Sequence, residues 1–156
     1  MLIRSLLVTL CLAVATACGG VDRQTFSELD RAGRALVVAF ESKPNLSAFR
    51  ALHQQFAAAL GTAKPRAQSS GDRTQLSDYE SVDALLREML VLWAGRDEHD
   101  AELLPVADEL PGRLLKRYDL PVNTNEPTSI YASEALRALR DDVTKRLGAA
   151  SDRLKP

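Results

Sequence analysis

Four stretches of this chain place apolar residues three or four positions apart, and no run alternates valine, isoleucine or threonine as a strand would. The first spacing gathers apolar side chains on one face of an α-helix. The pattern therefore predicts an all-α fold. The first helix, about Thr25 to Ser42, carries Phe26, Leu29, Leu36, Val37 and Phe40 on one face, with Gly33 between them. Thr25-Phe26-Ser27-Glu28 fits a capping box, in which Thr25 accepts from a backbone N–H and Glu28 reaches back. Pro44 ends this helix, and Asn45 or Ser47 can cap the next.

The second helix, about Leu46 to Ala63, carries Phe49, Leu52, Phe56 and Leu60. The connection between the two is short, so they should form an antiparallel hairpin. Residues 64–75, KPRAQSSGDRTQ, have almost no apolar side chain and read as a surface loop. The third helix is expected to open at a second capping box, Ser77 to Glu80, with a stripe of Tyr79, Val82, Leu86, Met89 and Trp93. It ends at Gly95 or continues to Leu104. Pro105 and Pro111 interrupt the next stretch, which reads as one or two short helical pieces with Leu110, Leu114 and Tyr118 covering an end or side of the bundle. A loop follows from Pro121 to Pro127. The fourth helix, about Thr128 to Leu154, repeats at Leu136, Leu139, Val143, Leu147, Ala150 and Leu154, supported by Glu134–Arg137 and Asp142–Arg146 pairs. The architecture expected is an up-and-down four-helix bundle with an irregular, proline-interrupted connection between helices three and four.

The start of the chain has a different layout. Arg4 precedes an uncharged run from Ser5 to Ala17, an apolar core within the usual ~7–15 residues followed by the small residues Ala15-Thr16-Ala17 and then Cys18. This stretch resembles a bacterial lipoprotein signal with its lipobox, read here as Ala15-Thr16-Ala17-Cys18; leucine is the usual residue where Ala15 stands. The resemblance covers about the first twenty residues. It implies cleavage before Cys18, a diacylglycerol on the Cys18 thiol, and attachment to the cell envelope. In a Gram-negative host it implies the periplasmic face of the outer membrane, because Gly19-Gly20 lack the aspartate that signals inner-membrane retention in the enteric pattern. Two other readings are an ordinary secretory signal cleaved at Ala17, and an uncleaved anchor. The uncharged run from Ser5 to Val21 is shorter than the ~20 residues a span needs.

On the lipoprotein reading the organisation is a signal peptide over 1–17, a lipidated tether over 18–24 and a single helical domain over 25–156. Cys11 would leave with the signal and acylation would consume Cys18. Disulfides, thiolate catalysis, iron–sulfur clusters and covalent haem attachment are then excluded. The formal net charge is −1, and losing Arg4 makes it one unit more negative. Such a near-neutral surface argues against nucleic acid. The expected partners are the membrane, through the lipid, and another envelope protein or a second copy of the chain. No cofactor beyond the covalent lipid is expected.

The densest polar cluster is Arg96-Asp97-Glu98-His99-Asp100 with Glu102. On a helix His99 and Glu102 share a face, and Glu98 lies next to Glu102. One imidazole and two carboxylates suit a divalent metal. The order is the reverse of the Glu-x-x-His used in di-iron bundles, no other helix offers a matching set, and the simpler reading is a solvated acidic turn. His53, between Phe49 and Phe56, reads as a core-edge residue with one hydrogen bond; its pairing with Met89 or His99 on a haem has no positive support. No Gly-x-Ser-x-Gly elbow or phosphate-cradling glycine loop occurs, so no catalytic residues are assigned. The function expected is a lipid-anchored, non-catalytic binding or structural module. The alternative is a periplasmic small-ligand or divalent-metal-binding bundle using Glu98, His99 and Glu102.

Overall fold

A computed structural model describes residues 20–99 and 102–155, except the side chains of Glu98 and His99. The chain is mainly helical, as the periodicity predicts, but it is more than four helices. In order it forms α1 (Arg23–Glu41), α2 (Leu46–Ala63), α3 (Ser70–His99), β1 (Leu103–Pro105), α4 (Glu109–Tyr118), β2 (Ser129–Tyr131) and α5 (Ala132–Asp152), with a single 3₁₀ turn at Lys64–Arg66. The long helices neighbour one another in a ring: α1 lies on α2 and α5, α2 on α3, and α3 on α5. The short α4 packs on α5 and β1. The expectation of four helices with a loose connection is thus corrected to five helices and a small two-stranded ribbon.

Each helix start follows from its local chemistry, and two starts differ from the expected ones. The cap of α1 is Asp22 rather than Thr25. Its carboxylate accepts from Gln24 N at 3.0 Å, and the Thr25 hydroxyl donates to the same carboxylate at 2.7 Å. A carboxylate at a helix N-terminus also meets the positive end of the dipole, an advantage threonine lacks. The expected cap of α2 is found: Asn45 Oδ1 accepts from Ala48 N at 2.8 Å. The start of α3 lies two turns before the expected Ser77. Ser69 Oγ accepts from Asp72 N at 3.0 Å while Asp72 Oδ2 accepts from Ser69 N at 3.1 Å, a reciprocal capping box. Residues 70–75 are therefore helix, not loop. They lack an apolar stripe because they bury polar groups instead: Gln75 is fully buried and donates from Nε2 to Ala150 O at 2.8 Å.

The expected tether over 18–24 is also shortened. The Gly20 carbonyl accepts from Ser69 Oγ at 3.2 Å, Val21 rests half-buried on the core, and Asp22 N donates to Asp72 Oδ1 at 2.8 Å. Arg23 donates to the Lys155 carbonyl at 2.9 Å. The starts of α1 and α3 and the end of α5 are thus joined at one end of the molecule.

Between α3 and α5, β1 and β2 pair antiparallel with Leu104 opposite Ile130. Residues 128–131 were expected as helix; Ile130 is instead fully buried in the ribbon, and helix begins at Ala132. Pairing with β1 takes up the backbone groups of these residues, and a lone β-branched residue packs well on a short strand. The preceding loop is organised by buried Asn123, whose Oδ1 accepts from Asn125 N and Glu126 N at 2.7 and 3.1 Å. The helix α4 is held by charge as well as by fully buried Leu114. Arg113 and Arg117 reach Glu88 of α3 at 3.0 and 2.7 Å, and Tyr118 OH donates to Asp142 of α5 at 2.8 Å.

Two glycines in helices have opposite roles, and substitution separates them. A Cβ on Gly112 would stand 2.6 Å from the Val106 carbonyl oxygen, a backbone atom with nowhere to go. Gly112→Ala is expected to destabilise by about 1–3 kcal/mol through this overlap. A Cβ on Gly95 meets nothing within 4 Å, and α3 runs through it to His99. Gly95→Ala should stabilise by about 0.5–1 kcal/mol by reducing backbone entropy in the unfolded chain. Urea unfolding midpoints of the two variants check the signs; equal signs would refute the assignment.

The core runs the length of the ring. Phe26 stacks on Tyr79 at 5.9 Å between centroids and Phe56 meets Tyr79 edge-on at 6.2 Å; further along, Phe49 lies 6.0 Å from Phe40 and 5.5 Å from Trp93. Burial, and then the nearby Asp30 carboxylate, push the Tyr79 hydroxyl up to about 12, so it stays neutral at ordinary pH.

Candidate functional site

The end opposite the joined helix starts holds a wide groove. It is about 730 Å³ and is formed where the α1–α2 turn meets α3 and the first turns of α5. That size suits a small ligand. Its floor is apolar: Phe40, Leu46, Met89, Trp93 and Leu136. Phe40 and Met89 are largely covered by the core below, while Leu46, Trp93 and Leu136 are half-exposed. The aromatic run of the core thus continues into the groove through the Phe49–Trp93 stack.

The rim carries Lys43, Arg96, Arg137 and Arg140 against only Asp97 and Glu134. Arg96 bonds Asp97 at 3.0 Å and Arg137 pairs with Glu134 one turn away on α5. Arg140 bonds the neighbouring Asp141 at 3.3 Å, so among the described residues Lys43 is the lining cation without an ion-pair partner. Arg96 also lies over the Trp93 ring, 5.7 Å from its centroid, a cation–π arrangement that fixes the indole at the groove wall. Two helix N-termini reach the same groove, α2 at Asn45-Leu46 and α5 at Ser133, and each adds partial positive charge.

Lys43 is held in an unusual conformation. Its φ is +51°, in the left-handed region where a helix most often ends on glycine. A non-glycine residue there costs roughly 1–2 kcal/mol. Pro44 fixes the turn that follows, and Ser42 N donates to Ala39 O at 3.1 Å to close α1. The result is a lysine aimed from the tight turn at the groove rim. Sequence periodicity gave no sign of this, because the signal is a lysine in a glycine's place.

The residues singled out from sequence are distributed elsewhere. Cys18 lies outside the described residues, as do the side chains of Glu98 and His99. Glu102 is exposed and occupied with capping: its Oε1 accepts from Ser133 N at 3.1 Å, and its carbonyl accepts from Ala132 N. No group of three or more histidine, cysteine or carboxylate side chains is placed for a metal among the described residues. His53 sits at the core edge, its side chain 12% exposed, with Nε2 2.9 Å from Asp83 Oδ1. Asp83 in turn pairs with Arg87 at 2.6 Å. That triplet ties α2 to α3 and faces away from the groove lining.

Among the described residues no helix is long and apolar enough to cross a membrane. No family model matches the chain, and no curated protein or solved structure is significantly similar to it.

Proposed function

We propose that this chain is a lipid-anchored, non-catalytic binding module of the bacterial cell envelope. Its domain is an up-and-down four-helix bundle braced by α4 and the ribbon. The observation that carries the reading is the lipobox-like Ala15-Thr16-Ala17-Cys18. The fold is compatible with it: Gly20, two residues after the cysteine, already accepts from Ser69 at the start of α3. An acyl group on Cys18 would hold the joined end of the helices against the membrane. The groove would then face the aqueous side, about 28 Å away along the nineteen residues of α1.

Acyl chains give attachment without a basic surface, each buried methylene contributing about 0.8 kcal/mol. Wild type is expected to fractionate with membranes and to be released by detergent but not by salt. Cys18→Ser should lose the acyl group, shown by mass spectrometry or radiolabelled palmitate. If the cysteine variant and wild type carry the same mass adducts and partition alike, the anchoring reading is lost.

A further inference from the structure

We propose that α3 binds one ordered water molecule inside the domain, between the Tyr79 hydroxyl and the Gln75 side-chain oxygen. Neither group takes part in the anchoring or in the groove, so the site stands apart from both. Tyr79 and Gln75 are fully buried, and neither the Tyr79 hydroxyl nor Gln75 Oε1 meets a hydrogen-bonding partner among the described residues. Natural proteins leave few buried polar atoms unpaired, and an internal water is the usual partner where the chain supplies none.

The two atoms belong to one place. Gln75 and Tyr79 are four residues apart on α3 and so neighbours on one face. The Gln75 amide is fixed in orientation, because Nε2 donates to Ala150 O at 2.8 Å. That carbonyl lies in the last turn of α5, where a helix leaves its carbonyls without intrahelical partners. Turning the amide over would set two oxygens against each other. Burial first, and then the Asp30 charge, raise the Tyr79 hydroxyl; the Gln75 amide acts the other way, as an N–H facing the phenolic oxygen does. The hydroxyl hydrogen and Oε1 are the parts left over. Water accepts from the first and donates to the second.

A third partner and a route come from α1. Asp30 is buried, its Oδ2 pairs with Arg34, and its charge acts on the Tyr79 hydroxyl, so the carboxylate is placed to accept the second hydrogen of the water. Asp30 also lines two depressions along the seam of α1 and α5, of about 330 and 560 Å³. Solvent therefore reaches one face of Asp30, and a water molecule can enter past it.

The full chain carrying Cys18→Ser, free of acyl groups, is crystallised and studied by nuclear magnetic resonance. One solvent atom within hydrogen-bond distance of both the Tyr79 hydroxyl and Gln75 Oε1 is expected, with a cross-peak between the Tyr79 hydroxyl proton and water. Tyr79→Phe keeps the ring and should fold, melting about 3–5 °C lower for the loss of one bridged bond. In a Gln75→Met background, where the site is already gone, the same change should lower the melting temperature less than half as much. Three results would overturn the proposal: no solvent density at that point, a hydroxyl bonded directly to Oε1 or Asp30, or Tyr79→Phe melting at or above the parent, as a dry orphaned hydroxyl requires. Melting that rises with sodium or ammonium chloride but not with choline chloride would assign the density to a monovalent cation and overturn it as well.

Discussion

Phe49→Ala is expected to cost about 3–5 kcal/mol of folding stability, a large share of the roughly 5–15 kcal/mol that holds a domain together. Phe49 is fully buried and stands between two other rings, Phe40 at 6.0 Å and Trp93 at 5.5 Å. Alanine removes the ring and its contacts with both, and three helices line the space it leaves. Helices joined by tight turns cannot close on such a space, so most of it persists as a cavity. The change is measured by urea denaturation followed through far-ultraviolet circular dichroism. A second readout is the native emission of Trp93, which loses its stacking partner and should shift even where the protein remains folded. Phe49→Leu, which refills most of the volume, should cost less than half as much. A loss under about 1 kcal/mol for the alanine variant would contradict the packing described.

The second large effect is expected at Asp72, which ties two helix starts together. Its carboxylate accepts from Asp22 N and Ser69 N, and its own N–H donates to Ser69 Oγ. Asp72→Ala leaves the Asp22 and Ser69 N–H groups without their acceptor and should cost about 2–4 kcal/mol, combining a lost cap with an orphaned part-buried donor. Asp72→Asn keeps one acceptor oxygen and should cost about half as much.

Acid titration distinguishes this cause from simple packing. Burial alone would raise the Asp72 carboxyl. The bonds from the Asp22 N–H, the Ser69 hydroxyl and the Ser69 and Gln68 backbone outweigh burial and hold it below its ordinary value of 3.8. Since the unfolded chain takes up the proton first, the contribution is complete above pH 3.8 and is lost as pH falls towards the lower folded value. The stability gap between wild type and Asp72→Asn should therefore be widest at neutral pH and narrow below pH 3.8. Asp142, also lowered because the bonds from Arg146 and Tyr118 outweigh its burial, adds to the acid sensitivity of both proteins equally. A gap that does not change with pH would contradict the charged cap.

The helical stripes were legible in the sequence because apolar spacing is a property of each helix alone. Both ends of α2 lie at the expected Leu46 and Ala63, and the aromatic stripe from Phe26 to Tyr79 forms the core as read. The first turns of α3 were not legible, because their buried face is made by Asp72 and Gln75. Those side chains bond partners fifty and seventy-five residues away. The ribbon escaped for a similar reason: Ser129–Tyr131 is extended only because Leu103–Pro105 pairs with it. The groove was the least legible part. Met89 and Trp93 were read correctly as core-stripe residues, but the cations beside them come from α3, α5 and the α1–α2 turn. Only the folded arrangement brings Lys43 and Arg140 to one rim.

The packing of α1 between α2 and α5 also sets an order of assembly. The contact with α2 spans one short turn, whereas the contact with α5 joins opposite ends of the chain: Gly33 of α1 fits under Leu147, and Arg23 bonds the carbonyl of Lys155. Closing a long loop costs more entropy than closing a short one, and contacts of such sequence separation form late. While the chain emerges from the ribosome, the α1–α2 hairpin can form first, yet one flank of α1 stays bare until the last helix is made. Gly33 and Val37 on that flank are then part of the surface a chaperone or a misfolding partner would meet, and the bundle closes only when α5 arrives beside α1.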